Sequence, residues 1–171
     1  MVTTEASNAS TLLSPMSEPE FADYLEFAIP DFAADKVNAG QWSTDEALEL
    51  ARQGYDELLP QGLATPGHFL YTVRNQATGA AVGMVWFAAQ ARAGRQIAFI
   101  YDVYIVPEHQ RQGHAKRALA AMEDAALSQG LSGIALHVFG HNAAAQALYR
   151  QLGFEATNIN MFKAVGTEVA Q

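Results

Sequence analysis

Residues 101–119 have the sequence YDVYIVPEHQRQGHAKRAL, and this stretch decides the fold. Its apolar start predicts a buried strand, its polar middle a tight turn, and its end the first turns of a helix. Gly113 lets the turn adopt backbone conformations denied to other residues. The unpaired amides and positive dipole end of the helix would then form a phosphate site, to which Arg111, Lys116 and Arg117 add cations. A plain strand-turn-helix connection with a solvated basic turn fits the local pattern equally well.

Composition predicts a globular protein without a thiol. The chain has 171 residues, of which 50% are apolar and 16% charged, and this suits a sizeable core rather than a disordered segment. There is no cysteine, so disulfides and thiolate nucleophiles are excluded, and the five histidines lack the spacing of metal ligands. No apolar run is long enough to cross a membrane and the start lacks signal-peptide features, so we expect a cytoplasmic protein.

Charge is distributed unevenly along the chain. The net charge of −8 argues against nucleic acid as the main partner. Residues 1–62 hold twelve acids and two bases, whereas the remainder holds six acids and eight bases. This acidic excess is typical of solvated helix faces, and it would also form a rim that attracts a cationic substrate.

Capping and turn signals divide the chain into helices and strands. The sequence SEPE at residues 17–20 resembles a capping box and predicts a helix, which Pro30 ends or kinks before a second piece at residues 31–38. The sequence STDE at residues 43–46 predicts another helix start. Strands that include an antiparallel meander are predicted at residues 10–13, 68–74, 80–90, 96–106 and 154–163.

The long strand at residues 96–106, the helix predicted at 113–129 and the apolar strand predicted at 133–139 form one βαβ unit. Its crossover is right-handed and makes the two strands parallel. Asn142 can cap a final helix that Gly153 ends. The predicted fold is α/β, a mixed sheet of about six or seven strands with helices on both faces. We expect one domain over residues 10–165, between a frayed start at 1–9 and a tail at 166–171.

Two motifs resemble those of the GNAT acyltransferase superfamily. Gln110-x-x-Gly113-x-Ala115, after a strand ending in Val-Pro, resembles its Gln/Arg-x-x-Gly-x-Gly/Ala loop, with alanine where many members have glycine. The segment NAAAQALYRQLGF at residues 142–154 resembles its Asn…Leu-Tyr…Leu-Gly-Phe segment. The two motifs lie in the family's order and spacing. The resemblance covers about residues 10–163 and implies the family's fold, with a splayed pair of parallel strands.

The resemblance implies an N-acetyltransferase that uses acetyl-CoA as acyl donor. The loop would wrap the pyrophosphate with backbone amides, and the splayed strand would hydrogen-bond the pantetheine arm. The cofactor-binding residues implied are Val103, Tyr104, Ile105, Arg111, Gln112, Gly113, His114, Ala115, Lys116 and Asn142. A homodimer is compatible with the resemblance. A non-catalytic acyl-CoA-binding sensor and a protein that binds other nucleotides are the alternatives.

Direct acetyl transfer to an amine in a ternary complex needs a base for the ammonium and an acid for the departing thiolate. Tyr149 would be the acid by resemblance, although its helical spacing with apolar neighbours also suits a core aromatic. His137 resembles in position a catalytic glutamate of some relatives, and histidine is a residue type suited to act as a base. The position of His137 in the sequence is equally consistent with a hydrogen-bonded histidine inside the sheet. Asp102 or Tyr104 could also reach the acceptor, or either could be an ordinary polar residue at a bulge. A base that acts through water is a further candidate.

The sequence leaves open which primary amine, of a small molecule or a peptide, accepts the acetyl group. By resemblance it would lie between the first two helices and the last strands. The candidate substrate-binding residues are Trp42, Asn158 and Asn160, and the two asparagines share one face of the predicted last strand. Other lining candidates, equally suited to the core, are Tyr24, Phe27 and Phe32. The acidic first third favours a polyamine, an aminoglycoside-like molecule or a lysine side chain.

Overall fold

A computed structural model describes residues 11–166 of the chain, so the expected frayed start lies outside the described residues. In that range the chain divides after Phe139 into two compact units. Five strands and four α-helices follow one another along it. They are β1 Thr11–Pro15, α1 Glu18–Asn38, α2 Ala47–Leu58, β2 His68–Asn75, β3 Ala81–Arg92, β4 Arg95–Ile105, α3 His114–Ser128, β5 Ile134–Leu136 and α4 Ala143–Gln151.

The strands of the first unit form one mixed sheet in the order β1-β2-β3-β4-β5. The first four pair antiparallel, and β5 pairs parallel to β4. The connection from β4 through α3 to β5 is the predicted βαβ unit, so the α/β class with a mixed sheet is confirmed. The described residues contain five strands rather than the expected six or seven.

Alternate residues of β3 cover the two faces of this sheet. Met84 and Trp86 point to the face where α1 and α2 pack, in one buried cluster with Tyr55. Val85 and Phe87 are buried on the other face, and α3 packs against β1, β3 and β4. Helices therefore cover both faces, as predicted.

The first helix, α1, starts as the capping box predicts. The Glu20 carboxylate accepts hydrogen bonds from both the backbone N–H and the hydroxyl of Ser17, each at 2.9 Å. The helix is a single element to Asn38, so the predicted separate second piece after Pro30 is wrong. Proline removes a backbone hydrogen bond, but Ala28 and Ala33 on either side of it are buried in the core and keep the helix in place.

The second predicted capping box is wrong. Residues 44–46 form a turn, α2 begins only at Ala47, and Glu46 makes no side-chain capping hydrogen bond. The helix is stabilised instead by the burial of one side, which contains Ala47, Ala51 and Tyr55. Tertiary packing sets this boundary because an isolated helix of this length is marginal in water.

A β-bulge in β4 changes which side chains face α1 and α2. Trp86 of β3 lies opposite Asp102, whereas the next residue of β3 lies opposite Ile100, so Tyr101 is an extra residue in β4. The Tyr101 ring stacks on Trp86 with ring centroids 4.6 Å apart. The Asp102 carboxylate accepts a hydrogen bond from Tyr24 of α1. The bulge therefore presents two consecutive residues, Tyr101 and Asp102, to the same face.

The second unit contains α4 and an extended segment. Asn142 caps α4 as predicted, since its Oδ1 accepts a hydrogen bond from the N–H of Ala145 at 3.1 Å. Gly153 ends the helix with a φ of +89°, also as predicted. The strand predicted at residues 154–163 is wrong, because these residues pair with no strand in the described part, and Ile159 and Met161 are exposed. Alternating polar and apolar residues suit a strand but do not supply the partner edge that makes one.

Gly83 lies where the backbones of β3 and β4 leave no room for a side chain. A Cβ on Gly83 would lie 2.1 Å from the backbone oxygen of Tyr104 and 3.0 Å from the Cα of Ile105. We expect Gly83→Ala to lower the free energy of unfolding by about 3 kcal/mol, the upper end for overpacking, because backbone atoms cannot move aside. Denaturant unfolding measures it.

The matched control is Gly54→Ala in the interior of α2, where a Cβ meets no atom within 4 Å. We expect this variant to gain about 0.5–1 kcal/mol of stability, because alanine loses less backbone entropy than glycine in a helix. Equal effects of the two substitutions would contradict the close approach at Gly83.

Candidate active site

The parallel strands β4 and β5 stop pairing beyond Ile100. They pair only at residues 98–100 and 134–136, so the strand predicted over residues 133–139 is shorter than expected. The bulge at Tyr101 explains why the pairing of β4 with β5 stops here, because a bulge bends its strand and disrupts the hydrogen bonds to the neighbouring strand. Further along, β4 continues to Ile105 paired with β3 alone. Its other edge over residues 101–105 pairs with no strand in residues 11–166, and such an edge can accept an extended ligand that carries amides.

The loop after β4 contains two left-handed backbone conformations. The φ angle is +63° at Arg111 and +80° at Gly113, and α3 begins at the next residue. Such turns direct N–H groups into a concavity that suits anions, and the helix start adds further unpaired amides. A left-handed arginine is strained, and this kind of strain concentrates at functional sites. The geometry fits the predicted pyrophosphate loop, formed by Arg111, Gln112, Gly113, His114, Ala115 and Lys116.

The basic side chains around this loop differ in whether they face solvent or bind the protein itself. Arg111 and Lys116 are exposed. Arg117, expected to be a further phosphate cation, instead donates from Nε to Thr11 Oγ1 at 2.9 Å and from Nη2 to the Gln112 carbonyl at 2.8 Å. Through these hydrogen bonds Arg117 joins the loop to β1 and stabilises the conformation of the loop.

The side chain of His114 is buried at the start of α3. Its Nδ1 lies 3.1 Å from Thr11 Oγ1, and its Nε2 has no hydrogen-bond partner among residues 11–166. Burial lowers the pKa of His114, and the neighbouring charges of Arg117 and His109 lower it further. His114 can thus serve the predicted cofactor site through its backbone amide, while its ring joins α3 to β1.

At the bulge, Asp102 belongs to a hydrogen-bonded chain. Tyr24 Oη donates to Asp102 Oδ2 at 2.9 Å, and the hydroxyl oxygens of Tyr24 and Tyr55 are 3.3 Å apart. Burial raises the pKa of Asp102 to about 6; the charges of Asp31 and Asp35 act in the same direction, and the Tyr24 hydrogen bond opposes them. Burial also raises the pKa of both tyrosines, so their hydroxyls stay protonated at neutral pH. A carboxylate with this pKa is ionised at neutral pH and can accept a proton.

His137 lies one residue beyond β5. Its side chain is exposed, and its ring lies edge-on to Phe139 with ring centroids 5.2 Å apart. The interpretation of His137 as a residue inside the sheet is therefore wrong, because the strand ends at Leu136. Its role as the base stays a prediction.

A cavity of about 430 Å³ lies between α1, α2, β3 and β4. Trp42, a predicted substrate-binding residue, is one of its lining residues. Aromatic side chains form much of the remaining wall, and no sequence signal separates such a wall from a filled core. The lining residues that the sequence did not single out for the site include Lys36, Tyr55, Trp86 and Tyr101.

A second cavity, of about 230 Å³, holds two of the other lining candidates. Tyr24 and Phe27 line it, and the Phe27 ring lies 4.6 Å from the ring of Tyr104 between centroids. Phe32, by contrast, lines the larger cavity. The aromatic residues of α1 are therefore divided between the two cavities.

The remaining predicted site residues belong to the second unit. Asn142 uses its side-chain oxygen to cap α4. Tyr149 is partly exposed in α4, with its ring edge-on to Phe154 and centroids 5.6 Å apart. Asn158 and Asn160 are exposed and belong to no strand, so the shared strand face predicted for them is wrong. The functional roles of these residues stay predictions.

Residues 11–166 lack two further kinds of feature. No group of three or more His, Asp or Glu side chains in this range could hold a metal ion. None of its helices combines the length and the apolar character needed to cross a membrane.

Known proteins similar to this chain point to one family. A model of the acetyltransferase (GNAT) family matches residues 34–154. YycN, an uncharacterized N-acetyltransferase of Bacillus subtilis, is 40% identical over 152 residues, which cover 89% of this chain and 97% of YycN. The crystal structure of YycN has a TM-score of 0.86 at 39% identity, over 92% of this chain and 100% of that chain. AAC(6')-Iy, solved with a bisubstrate analogue of CoA and acetylneamine, has a TM-score of 0.58 at 17% identity, over 92% of this chain and 99% of that chain, which is a likeness of fold alone.

Proposed function

The chain belongs to the GNAT acetyltransferase family, and from this premise we propose that it transfers an acetyl group from acetyl-CoA to a primary amine of a small molecule or peptide. The observation that carries the proposal is the opening between β4 and β5. Its free strand edge leads directly into the left-handed turn before α3. One continuous path along β4 thus offers backbone hydrogen bonds first and an anion site next.

The two parts of this path suit the two polar parts of acetyl-CoA. The free backbone edge at Val103–Ile105 can pair with the amides of the pantetheine arm. The N–H groups after Arg111 can receive the pyrophosphate, and the exposed side chains of Arg111 and Lys116 add positive charge. When bound, acetyl-CoA supplies the activated thioester carbonyl.

We assign the role of the base to Asp102 in preference to His137. A lysine-type amine has a pKa near about 10.4, so it must lose a proton before it attacks. The Asp102 carboxylate is partly buried at the bulge and held by Tyr24, whereas His137 is exposed. The proton of the amine passes to Asp102 directly or through water. As the C–N bond forms, the C–S bond breaks and the thiolate leaves.

We assign the acid to Tyr149, whose place in the Leu-Tyr motif supports this role. A tyrosine hydroxyl can return a proton to the thiolate as the C–S bond breaks. The ammonium loses two protons in all. The first passes to Asp102 before attack and is later released to solvent. The second leaves the nitrogen after the C–N bond has formed and, through water, restores the proton that Tyr149 gave to the departing thiolate.

Calorimetry and a thiol-release assay test the proposal. We expect acetyl-CoA and CoA to bind with a dissociation constant in the range of about 1 μM–1 mM that is usual for enzyme substrates. ATP should compete weakly, because it lacks the pantetheine arm that pairs with β4. With an amine acceptor present, the rate of CoA release should be higher than the rate without amine. Absence of heat with both acetyl-CoA and CoA would contradict the assignment.

The Tyr149→Phe variant separates the enzyme from a non-catalytic acyl-CoA sensor. We expect it to lower kcat by about 10²-fold, the lower end for acid–base catalysis, while acetyl-CoA affinity stays unchanged. Binding of acetyl-CoA without turnover by the unaltered protein, for every amine tested, would favour the sensor.

A further inference from the structure

The cavity of about 430 Å³ is walled mainly by aromatic rings. Phe32 and Trp42 meet edge-to-face with centroids 5.5 Å apart, Tyr55 lies 5.6 Å from Trp86, and Trp86 stacks on Tyr101 at 4.6 Å. Its volume lies within the range of about 300–1,000 Å³ that is usual for small-molecule sites. Its walls therefore favour an apolar or aromatic group.

Two charged residues line the same cavity, Lys36 of α1 and Glu57 of α2. Lys36 Nζ lies 5.4 Å from the ring centroid of Phe32, 5.5 Å from that of Trp42 and 5.8 Å from that of Phe139. It donates one hydrogen bond, to Gln41 Oε1 at 2.7 Å. An ammonium carries three donors, so two of them are available to a ligand.

Lys36 lies in the most acidic part of the chain, yet no carboxylate pairs with it. Residues 1–62 contain twelve acids and two bases. The ion pair found among residues 11–166 joins Arg74 and Glu20, and none involves Lys36. The ring faces of Phe32 and Trp42 stabilise the ammonium in place of a counter-ion. Lys36 is thus placed to pair with an anion that a ligand brings.

Beside Lys36 this placement disfavours a cationic group, whereas the Glu57 carboxylate lines the cavity from α2 and favours one there. Aromatic rings often bind a ligand's ammonium, but here the ammonium of Lys36 already occupies two of the ring faces. A second cation would meet a like charge, whereas a carboxylate would receive charge-assisted hydrogen bonds.

Two wall residues relate the cavity to Asp102, which does not itself line it. The Tyr55 hydroxyl is linked by way of Tyr24 to the Asp102 carboxylate. Trp86 lies directly opposite Asp102 in the sheet. An acceptor whose ring occupies the cavity would then have its amine on the side of Asp102 and its anionic group at Lys36.

We propose that the acetyl acceptor is an amine that carries both an aromatic side chain and a carboxylate, as an aromatic amino acid does. This inference rests on the proposed function. This class differs from the polyamine or aminoglycoside that the acidic composition favours. Of the twelve acids of residues 1–62 only Glu57 lines the cavity among the described residues, and Lys36 offsets its charge there.

Intrinsic fluorescence tests this assignment without turnover. The chain has two tryptophans, Trp42 and Trp86, and both line the cavity. L-phenylalanine and 2-phenylethylamine differ by one carboxylate and do not obscure tryptophan emission. We expect both to change the emission, with L-phenylalanine at least about tenfold tighter, a factor that corresponds to about 1.4 kcal/mol. Spermidine should bind more weakly than either.

The variant Lys36→Met keeps the apolar stem and removes the charge. It should abolish the tenfold preference for L-phenylalanine by weakening the binding of L-phenylalanine, without weakening the binding of 2-phenylethylamine. Arg95→Gln is the matched control, since it removes one cation from an exposed position in the β3–β4 hairpin. It should retain the preference. Equal affinities for the two ligands in the unaltered protein, or a preference that survives in Lys36→Met, would overturn the assignment.

Thiol release with the same amines separates failure of this assignment from failure of the proposed function. If acetyl-CoA binds and spermidine is acetylated with a higher kcat/KM than L-phenylalanine, the acceptor class is wrong and the acetyltransferase stands. If acetyl-CoA does not bind, the proposed function falls, and the acceptor assignment falls with it. A higher kcat/KM for L-phenylalanine than for both other amines supports both.

Discussion

Replacing Asp102 with asparagine is expected to lower kcat/KM for the amine by about 10²–10⁴-fold, the usual contribution of a general base. Asparagine keeps the size of the side chain, and its Oδ1 can accept the hydrogen bond of Tyr24, so the chain to Tyr55 is retained. In the unaltered enzyme, kcat/KM should fall as the pH drops below about 6, because Asp102 then becomes protonated. The variant should lack this acidic limb. Steady-state rates between pH 5 and 9 measure both effects.

The same substitution should change stability in the opposite direction. Folding raises the pKa of Asp102 from 3.8 to about 6, mainly through burial, so the ionised carboxylate costs folding free energy above pH 6. The cost decreases as the pH falls through 6 and disappears only well below pH 3.8, where the group is neutral in both states. Asp102→Asn should therefore be more stable than the unaltered protein at pH 7, by up to roughly 3 kcal/mol, and this advantage should be lost by about pH 3. Lost activity combined with gained stability separates a catalytic role from a structural one.

His137→Ala is the comparison that tests the choice of base. Because His137 is exposed beyond the end of β5, we expect its removal to change kcat/KM by less than about threefold, within the effect of a surface substitution. If His137→Ala abolished the acidic limb and Asp102→Asn did not, His137 would be the base.

Replacing Gly113 with valine should weaken the binding of CoA at least about tenfold, or about 1.4 kcal/mol. Gly113 has a φ of +80°, and a Cβ there would lie 2.6 Å from Nη1 of Arg117. The new side chain would displace the guanidinium that joins the loop to Thr11 and Gln112. It would also fill the space through which a pyrophosphate reaches the loop amides. Calorimetry with CoA measures the change.

The control for backbone strain lies at the other end of the same helix. Gly130 has a φ of +74°, and a Cβ there meets no atom within 4 Å. Gly113→Val and Gly130→Val should each lose about 1–2 kcal/mol of stability, the cost of a left-handed residue with a side chain. Gly130→Val should bind CoA normally. If both variants bound CoA equally well, the pyrophosphate would lie elsewhere.

Local sequence signals predicted the parts of the fold that depend on a few adjacent residues. The capping box of Ser17 and Glu20, the Asn142 cap and the Gly153 helix end all formed as predicted. Each uses side-chain or backbone groups within one or two turns of one helix. Where packing competed with such a signal, packing prevailed, as the single helix through Pro30 demonstrates.

The site was predicted in part. The motif around Gly113 identified the left-handed turn and the start of α3, because glycine spacing encodes backbone conformation. The hydrogen bond between Arg117 and Thr11 was not predictable, since the two residues are over a hundred positions apart in sequence. The aromatic cavity around Lys36 was missed for the same reason, because it needs α1, α2, β3 and β4 together.

By itself, the sequence determined the order of the elements from β1 to α4, apart from the separate helix piece expected after Pro30, and it determined the parallel crossover, the glycine turn and the resemblance to one family. These follow from periodicity, capping and spacing, which act over short distances along the chain. Only the tertiary structure decided that β4 bulges at Tyr101, that β5 ends at Leu136 and that Asp102 is buried beside Tyr24. Strand pairing and burial depend on which distant segments meet, and a side chain's pKa depends on that burial, so neither can be obtained from a residue and its neighbours in sequence.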